Sequence, residues 1–324
     1  MSDWPQNLEN TGLMIREFDW RDLTLLHRLA PEGVCLHAET WFTRGVNNWL
    51  SALRAYVAPG SNTITLVFRQ PNDEAAMFGQ LVHASGQHWA QVHYLAPQPV
   101  EDTLDAWTAM LLAMAQIASE RGAHHLVAEI DDGSPASSAL RQAGFVSYTH
   151  QRIWQFAGST PVAKPPAPCL RRLHSIDEPA VHHFYKQLVP GLVRQVEPPL
   201  RSEDGYLWQH HGEVLAYFDV SRGPLGYWVR PFVHPEAQTG LDDLLAELLT
   251  LLTPDAAPIY VCVRSYQGGF QGALEAHNFI PVSYQAMMVK RVTAAVMVPQ
   301  FETAQLPAAT AAPVTGSFKK PPLR

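Results

Sequence analysis

The sequence predicts an α+β fold built twice, as two tandem domains that each have a central mixed, mostly antiparallel β-sheet flanked by helices. The chain has 324 residues, which is enough for two domains of ordinary size. One order of predicted elements (strand, helix, three strands, helix, strand, helix, strand) occurs twice, and its period of about 140 residues is too long for a solenoid. A proline-rich segment separates the two copies. We therefore predict a duplicated domain.

The proposed boundaries follow the changes in composition along the chain. Residues 1–12 and 293–324 are predicted to be disordered tails, because they are polar or rich in Pro, Ala and Thr without periodicity. The first copy covers residues 13–157 and the second covers residues 169–292. Residues 158–168 form the linker, since their prolines forbid a regular helix or a central strand.

Composition excludes several classes of protein. Lys and Arg number 23 against 30 Asp and Glu, a net charge of -7, so the chain lacks the basic surface that nucleic acid requires. Hydrophobic residues make up 47% and charged residues 16%, which excludes global disorder. No stretch reaches the roughly 18 apolar residues of a membrane span and the start lacks a signal-peptide pattern, so we expect a cytoplasmic protein. The three cysteines have no CxxC spacing and are expected to be buried thiols.

Each copy begins with a short apolar strand that leads into a helix. The residues are MIREFDWRD (14–22) in the first copy and CLRRLHSID (169–177) in the second. Asp22 and Asp177 hold equivalent positions, and an Asp at the start of a helix is a favoured N-cap. We predict that both aspartates cap their helices.

The next elements follow from alternation, helical spacing and turn residues. Short turns such as PNDE, HHGE and SRGP join alternating segments, which is typical of hairpins. The predicted hairpin strands are 62–70, 76–85 and 88–97 in the first copy, and 205–211, 213–221 and 225–235 in the second. The amphipathic helices are 101–122 and 239–252, the buried strands are 125–130 and 259–263, and the closing helix-and-strand segments are 137–156 and 271–292.

Three features of this pattern carry a resemblance to a known family. A strand runs through a Pro-containing turn into an amphipathic helix in VHYLAPQPVEDTLDAW and WVRPFVHPEAQTGLDDLL. A helix closes before the last strand in LRQAGF and LEAHNF, and the hairpin GEVLAYFDVS begins with Gly-Glu-Val. In their order and duplication these segments resemble the GCN5-related N-acetyltransferase (GNAT) family in a tandem arrangement. The resemblance implies transfer of an acyl group from acetyl-CoA to an amine.

The resemblance also implies a site for acetyl-CoA. In the family, a glycine-rich turn after the fourth strand opens a helix whose backbone NH groups bind the pyrophosphate. The second copy reads HPEAQTGLDDLL and keeps one glycine, whereas the first reads APQPVEDTLDAW, with none and with acidic residues in the first turn. The cofactor site is therefore predicted in the second copy. Its residues are Phe232, Val233, His234, Gln238, Thr239, Gly240 and Leu241.

The catalytic groups are less well marked. The family commonly has a Tyr that protonates the leaving thiolate, and the matching positions here are Leu140 and Leu274. Tyr266 and Tyr227 are the substitutes that the sequence offers. Transfer also needs a base for the ammonium proton. The candidate bases are His93, Glu236 and Asp219.

Two readings of the function stay open at this point. One is an N-acyltransferase, active in the second copy, whose acceptor is a small-molecule or peptide amine. The other is an inactive tandem scaffold or a sensor that binds acyl-CoA or a partner, and it is favoured by the missing tyrosines and the reduced glycine turns. The sequence predicts no metal site, since adjacent histidines diverge and no HExxH pattern is present. Neither nucleic acid nor membrane is an expected partner, and the apolar surface is compatible with a homodimer.

Overall fold

The structure is a computed structural model, and it describes residues 14–45, 48–57, 61–69, 76–158, 169–197, 205–252 and 257–292. The predicted tails and residues 159–168 of the predicted linker lie outside the described residues. The described residues all belong to one compact unit. Both copies can therefore be described as parts of a single body.

Thirteen strands are present in these ranges and they join into one sheet. The strands are β1 (Met14–Glu17), β2 (Val34–Cys35), β3 (Thr63–Arg69), β4 (Ala76–Val82), β5 (Trp89–Ala96), β6 (His125–Asp131), β7 (Val146–Phe156), β8 (Arg171–Arg172), β9 (Gly205–His210), β10 (Glu213–Gly223), β11 (Gly226–Val233), β12 (Ile259–Arg264) and β13 (Phe279–Arg291).

Helices cover both faces of this sheet. Those in the described ranges are α1 (Leu23–Leu29), α2 (Ala38–Arg44), α3 (Asn48–Val57), α4 (Leu104–Glu120), α5 (Pro135–Gln142), α6 (Glu178–Leu188), α7 (Gly191–Val196), α8 (Leu241–Leu252) and α9 (Phe270–Ala276). Helices α4, α5, α8 and α9 pack their apolar sides on one face. The opposite face carries α1 and α3 on the first copy, α6 and α7 on the second, and α2 between them.

The two copies exchange their last strands. The strand order is β1-β3-β4-β5-β6-β13-β7-β12-β11-β10-β9-β8, with β2 paired to β5. Strand β13 of the second copy lies antiparallel between β6 and β7, and β7 of the first copy lies antiparallel between β13 and β12. The predicted tandem α+β fold is confirmed. Because of this exchange, however, the two expected sheets form one.

The same ion pair occurs at equivalent positions in both copies. Two guanidinium nitrogens of Arg16 donate to the Asp22 carboxylate at 2.7 and 2.8 Å, and Arg171 donates to Asp177 at 2.6 and 2.7 Å. Each carboxylate also accepts the backbone NH three residues earlier, at 3.0 Å. As predicted, these aspartates occupy the N-cap positions of α1 and α6, but neither side chain makes a hydrogen bond to its helix. Both aspartates bond to residues that precede them in the chain. Each one therefore links the first strand of its copy to the turn before the helix.

Candidate functional site

Each copy has one pair of neighbouring parallel strands that are joined along only part of their length. Strands β5 and β6 are paired as far as Gln91 and Val127, and β11 and β12 as far as Val229 and Val261. Beyond these residues both strands of each pair continue. The backbone NH and carbonyl groups on their facing edges therefore need other hydrogen-bond partners. We call these two places the first opening and the second opening.

The first opening is filled by the chain itself. The NH of Leu36 donates to the carbonyl of His93 at 2.9 Å, and the carbonyl of Leu36 accepts the NH of Glu129 at 3.0 Å. The same carbonyl accepts a bond from the Gln91 side chain at 2.9 Å. Leu36 is fully buried. Backbone from the first copy therefore bridges β5 and β6 and closes the first opening.

The second opening is bridged by one side chain instead. The Gln267 side-chain oxygen accepts the NH of Arg264 at 2.8 Å, and its nitrogen donates to the carbonyl of Pro231. Pro231 itself has no NH to offer. The opening is thus closed by a group that can rotate away, but the backbone of β11 lacks one donor there.

The turn after β11 begins α8 and contains the predicted cofactor residues. A 3-10 helix runs from Pro235 to Gly240. The NH of Ala237 donates to the carbonyl of His234 at 2.9 Å, and the NH of Leu241 donates to the carbonyl of Gln238. These amide groups are engaged within the turn. A Cβ placed on Gly240 would meet no atom within 4 Å, so space is open beside this residue.

The other predicted cofactor residues are distributed around this turn. Phe232 and Val233 are buried on opposite faces of β11, in the clusters under α6 and α8 respectively. The His234 ring accepts the NH of Glu236 at 3.3 Å. The Gln238 side chain lies 3.5 Å from the carbonyl of Gly268, which joins the turn to the loop after β12. Thr239, Gly240 and Leu241 complete the turn into α8.

The two predicted tyrosines occupy different environments. Tyr266 follows β12 directly, next to Gln267, and packs against the cluster beneath α6 and α7. Burial raises the pKa of its hydroxyl well above the usual range, and the charge of Glu197 adds to this effect. Tyr227 lies in the core beneath α8 with the Arg222 guanidinium 5.4 Å from its ring. Tyr266 thus lies in the loop that carries Gln267, beside the second opening, whereas Tyr227 lies where β11 and β12 are still paired.

A cavity of about 540 Å³ lies on the α2 face of the sheet and draws its walls from both copies. Along β5 and β6, side chains that pack into the core beneath α4 alternate with side chains on the opposite face of the sheet. His93 and Glu129 belong to the second set and point into the cavity. Arg230 on β11 and Arg264 on β12 line its other side. The cavity therefore extends from the first opening to the second.

Two of the arginines in the wall are neutralised. Arg264 Nε lies 2.9 Å from Glu197 Oε1, and both side chains are buried. Arg230 donates to the Asp219 carboxylate, with 2.9 Å from its Nε. Both pairs are buried enough that an unpaired partner would be costly.

Glu129 is a third buried carboxylate, and its surroundings differ. Its Oε2 accepts the NH of Ala38 at 2.8 Å and the Gln151 side chain at 3.1 Å. Since Ala38 is the first residue of α2, this oxygen caps the helix. Its Oε1 makes no hydrogen bond within the described ranges. Sequence reasoning missed Glu129, although an acidic residue inside the apolar strand HLVAEI was the available signal.

The predicted bases lie in three separate places. His93 lines the cavity and stacks on His37 with ring centroids 4.6 Å apart. Asp219 is taken up by its pair with Arg230. Glu236 is 80% exposed at the turn, 3.9 Å from His234. Of the three, only His93 faces the cavity.

The described part of the chain contains no group of three or more His, Cys, Asp or Glu side chains arranged to hold a metal ion. None of the helices in these ranges has the length and apolar character needed to cross a bilayer.

Solved structures of similar fold cover most of the chain. A GCN5-related N-acetyltransferase from Sphaerobacter thermophilus is 13% identical, with a TM-score of 0.55 over 87% of this chain and 96% of that one. A tandem GNAT protein from the clavulanic acid biosynthesis pathway is 14% identical, with a TM-score of 0.54 over 86% and 98%. A glucosamine N-acetyltransferase region in a fungal multi-domain enzyme is 11% identical, with a TM-score of 0.52 over 86% of this chain and 38% of that one.

No protein-family model and no curated protein matches the sequence. The similarity to solved structures establishes the fold, which is that of a tandem GNAT protein.

Proposed function

We propose that the chain is an acyl-CoA-dependent N-acyltransferase that binds acetyl-CoA in its second copy and an amine in the cavity. One observation carries the proposal. Arg264 contributes its backbone NH to the second opening and its side chain to the cavity wall. An acyl group held in the second opening would therefore lie next to an acceptor in the cavity.

The two openings differ in whether an acyl-CoA fits. In the first opening, the backbone of Leu36 already bonds both strands, and backbone within a sheet cannot be displaced without unfolding that part of the sheet. In the second, a ligand has to displace the side chains of Gln267 and Gln238, which rotation achieves. The open space beside Gly240 gives a phosphate room at the start of α8. The second copy is therefore the half that accommodates the ligand.

The reaction balances in a simple way. A bound acyl-CoA supplies an acyl group as a thioester. The amine nitrogen forms the new C–N bond, the C–S bond breaks, the ammonium proton goes to a base, and the thiolate leaves as a thiol after accepting a proton. The chain's own part is to hold the amine, accept one proton and donate another.

Tyr266 is the proposed donor to the thiolate. It is adjacent to Gln267 at the second opening, and burial keeps its hydroxyl protonated at neutral pH, as a general acid requires. The buried carboxylates in the cavity wall are better placed to accept the ammonium proton than the predicted base Glu236, which is exposed to solvent at the turn.

The second candidate is a binding protein that does not catalyse transfer. It is favoured by the missing NH at Pro231, because strand NH groups are what polarise a thioester carbonyl. It is also favoured by the turn amides, which donate within the turn rather than outward. In this candidate the cavity holds its ligand unchanged.

Calorimetric titration of the full chain with acetyl-CoA separates the candidates. For the enzyme, we expect micromolar binding that Gly240→Asp abolishes, since a carboxylate there repels phosphate. Gly240→Ala is the matched control and should bind normally, because its methyl group meets open space. Tyr266→Phe should bind equally well and lose turnover with an amine acceptor.

Two results would contradict the proposal. Absence of binding at millimolar acetyl-CoA, in a chain shown to be folded, would exclude acyl-CoA as the ligand. Binding that Gly240→Asp leaves unchanged would place the ligand elsewhere. As a further check, Gln267→Ala should strengthen binding several-fold, because the ligand no longer has to displace the bridging side chain.

A further inference from the structure

The inner wall of the cavity contains buried polar atoms whose bonding capacity is unmet. The Tyr148 hydroxyl is buried and has no hydrogen-bond partner within the described residues. Glu197 Oε1 is also buried, and its 2.9 Å approach to Arg264 lacks hydrogen-bond geometry. Buried groups of this kind are uncommon in proteins and need an explanation. Glu129 lines the same cavity and is 8% exposed, and it accepts its two hydrogen bonds at Oε2, so its Oε1 can accept a bond from a ligand.

The charge in this part of the wall is negative. Glu197 is paired with Arg264, whereas Glu129 makes no ion pair with a described residue. Arg230 is already balanced by Asp219. The part of the wall around Glu129 therefore has one carboxylate without a paired cation, and a buried carboxylate in this state favours a cationic ligand.

These oxygens match the needs of a primary ammonium group. An ammonium carries three donors and no acceptor. Two carboxylate oxygens and one hydroxyl oxygen offer three acceptors. The charges of the same two carboxylates also raise the pKa of the Tyr148 hydroxyl, after the larger effect of burial, which places all three groups in one electrostatic environment. A quaternary ammonium would satisfy the charge and none of the hydrogen bonds.

The rest of the cavity wall has the opposite character. Arg44 on α2 and Arg54 on α3 line the cavity, are exposed to solvent, and make no ion pair with any described residue. Unpaired guanidinium groups bind carboxylates and phosphates well. They would repel a simple amine that carries only positive charge. A ligand with an anionic group at its far end avoids that repulsion.

We propose that the cavity binds a zwitterion, whose primary ammonium group is held by Glu129 with Glu197 and the Tyr148 hydroxyl, and whose anionic group faces Arg44 and Arg54. The inference deepens the proposed function, because it names the chemical class of the acceptor, and it rests on that function for the reaction but not for the binding. The cavity of about 540 Å³ is large enough for a small organic ligand.

Ligand binding to the full chain without acetyl-CoA tests this directly, with four probes of one chain length: 6-aminohexanoate, hexylamine, hexanoate and the N,N,N-trimethyl form of 6-aminohexanoate. Ligand-observed NMR titration measures their affinities. We expect 6-aminohexanoate to bind at least about tenfold more tightly than each of the other three probes. Each of those lacks either the primary ammonium group or the carboxylate.

Three variants assign the contacts. Glu129→Gln should weaken 6-aminohexanoate and hexylamine about tenfold and leave hexanoate unchanged. Tyr148→Phe removes only the hydroxyl and should weaken the same two probes by a smaller factor, which keeps the test decisive if loss of the α2 cap destabilises the first variant. Arg54→Ala should weaken 6-aminohexanoate and not hexylamine. Glu39→Gln is the control, since Glu39 also lines the cavity but accepts a bond from Ser221 at 2.9 Å.

The possible failures are distinct. Equal affinity for the amino and trimethyl probes, or binding unaffected by both Glu129→Gln and Tyr148→Phe, overturns the ammonium site. Hexanoate binding as well as 6-aminohexanoate overturns it too, and so does the absence of binding by any probe at millimolar concentration. If these probes fail while acetyl-CoA binds as proposed, only the acceptor class is wrong. If they succeed while acetyl-CoA does not bind, the site stands and the transferase is excluded.

Discussion

Arg264 and Glu197 form a buried ion pair, with 2.9 Å between Nε and Oε1 and side chains that are 10% and 5% exposed. Removal of one partner from such a pair leaves a charge without compensation in a poorly solvated place. Glu197→Gln should therefore lower the free energy of unfolding by about 3 kcal/mol. Urea denaturation monitored by tryptophan fluorescence measures this.

An exposed pair provides the comparison. Arg121 and Glu17 lie 3.4 Å apart with side chains 42% and 58% exposed, so Glu17→Gln should cost less than about 1 kcal/mol. Equal effects of the two substitutions would show that water reaches the Arg264 pair.

Asp177 should make stability depend on pH in acid. The Arg171 guanidinium donates two hydrogen bonds to this carboxyl and lowers its pKa from 3.8 to about 2. Since the folded pKa lies below the unfolded one, the stabilisation is complete above the unfolded value and is lost as the pH falls through the folded value. The stability difference between the native chain and Asp177→Asn should shrink as the pH falls from 3.8 to about 2. A difference that is constant over this window would show that the pair does not persist in solution.

The exchange of last strands should prevent either copy from folding alone. A fragment that ends after β7 lacks β13 and β12, so β6 loses one neighbouring strand and β7 loses both of its neighbours. We expect residues 1–158 and 159–324, produced separately, to be unfolded or aggregated by circular dichroism and sedimentation. Mixed during refolding, they should form a 1:1 complex. A monomeric, cooperatively folded fragment would contradict the exchange.

The three thiols should be unreactive in the native chain. Burial raises the pKa values of Cys35, Cys169 and Cys262 to about 12, so little thiolate is present near neutral pH. Reaction with Ellman's reagent should be slow in buffer and release three equivalents in urea. Rapid native reaction of any one thiol would show that its site opens locally.

The elements that local pattern specifies were the predictable ones. Strands β3 to β6 and helix α8 begin and end within a few residues of their predicted limits, because alternation, helical spacing and turn residues act over short distances. The predicted helix 101–122 begins with a 3-10 turn, and its α-helical part is Leu104–Glu120. Helices α2 and α3 and strand β2 were not separated in advance, since the segment between residues 34 and 57 carries no single strong period.

The features that decide the site depend on contacts distant in sequence. Leu36 reaches Glu129 through backbone hydrogen bonds, and backbone groups are the same in every residue, so the sequence carries no sign of that pairing. The sequence also does not indicate which strands β13 pairs with, because an apolar strand suits either copy's sheet. Glu197 lies just after α7, outside every predicted site, and its role depends on Arg264.

Because of the exchanged strands, the sheet of each copy depends on a strand of the other copy. A first copy whose opening is closed by its own backbone has no need to preserve the features of a cofactor site, yet its strand β7 is the neighbour on which β12 depends. Deletion of that copy would remove part of the scaffold that holds Arg264. A duplicated domain without an open site of its own can therefore still be retained, since the second opening and the cavity are built on strands of both copies.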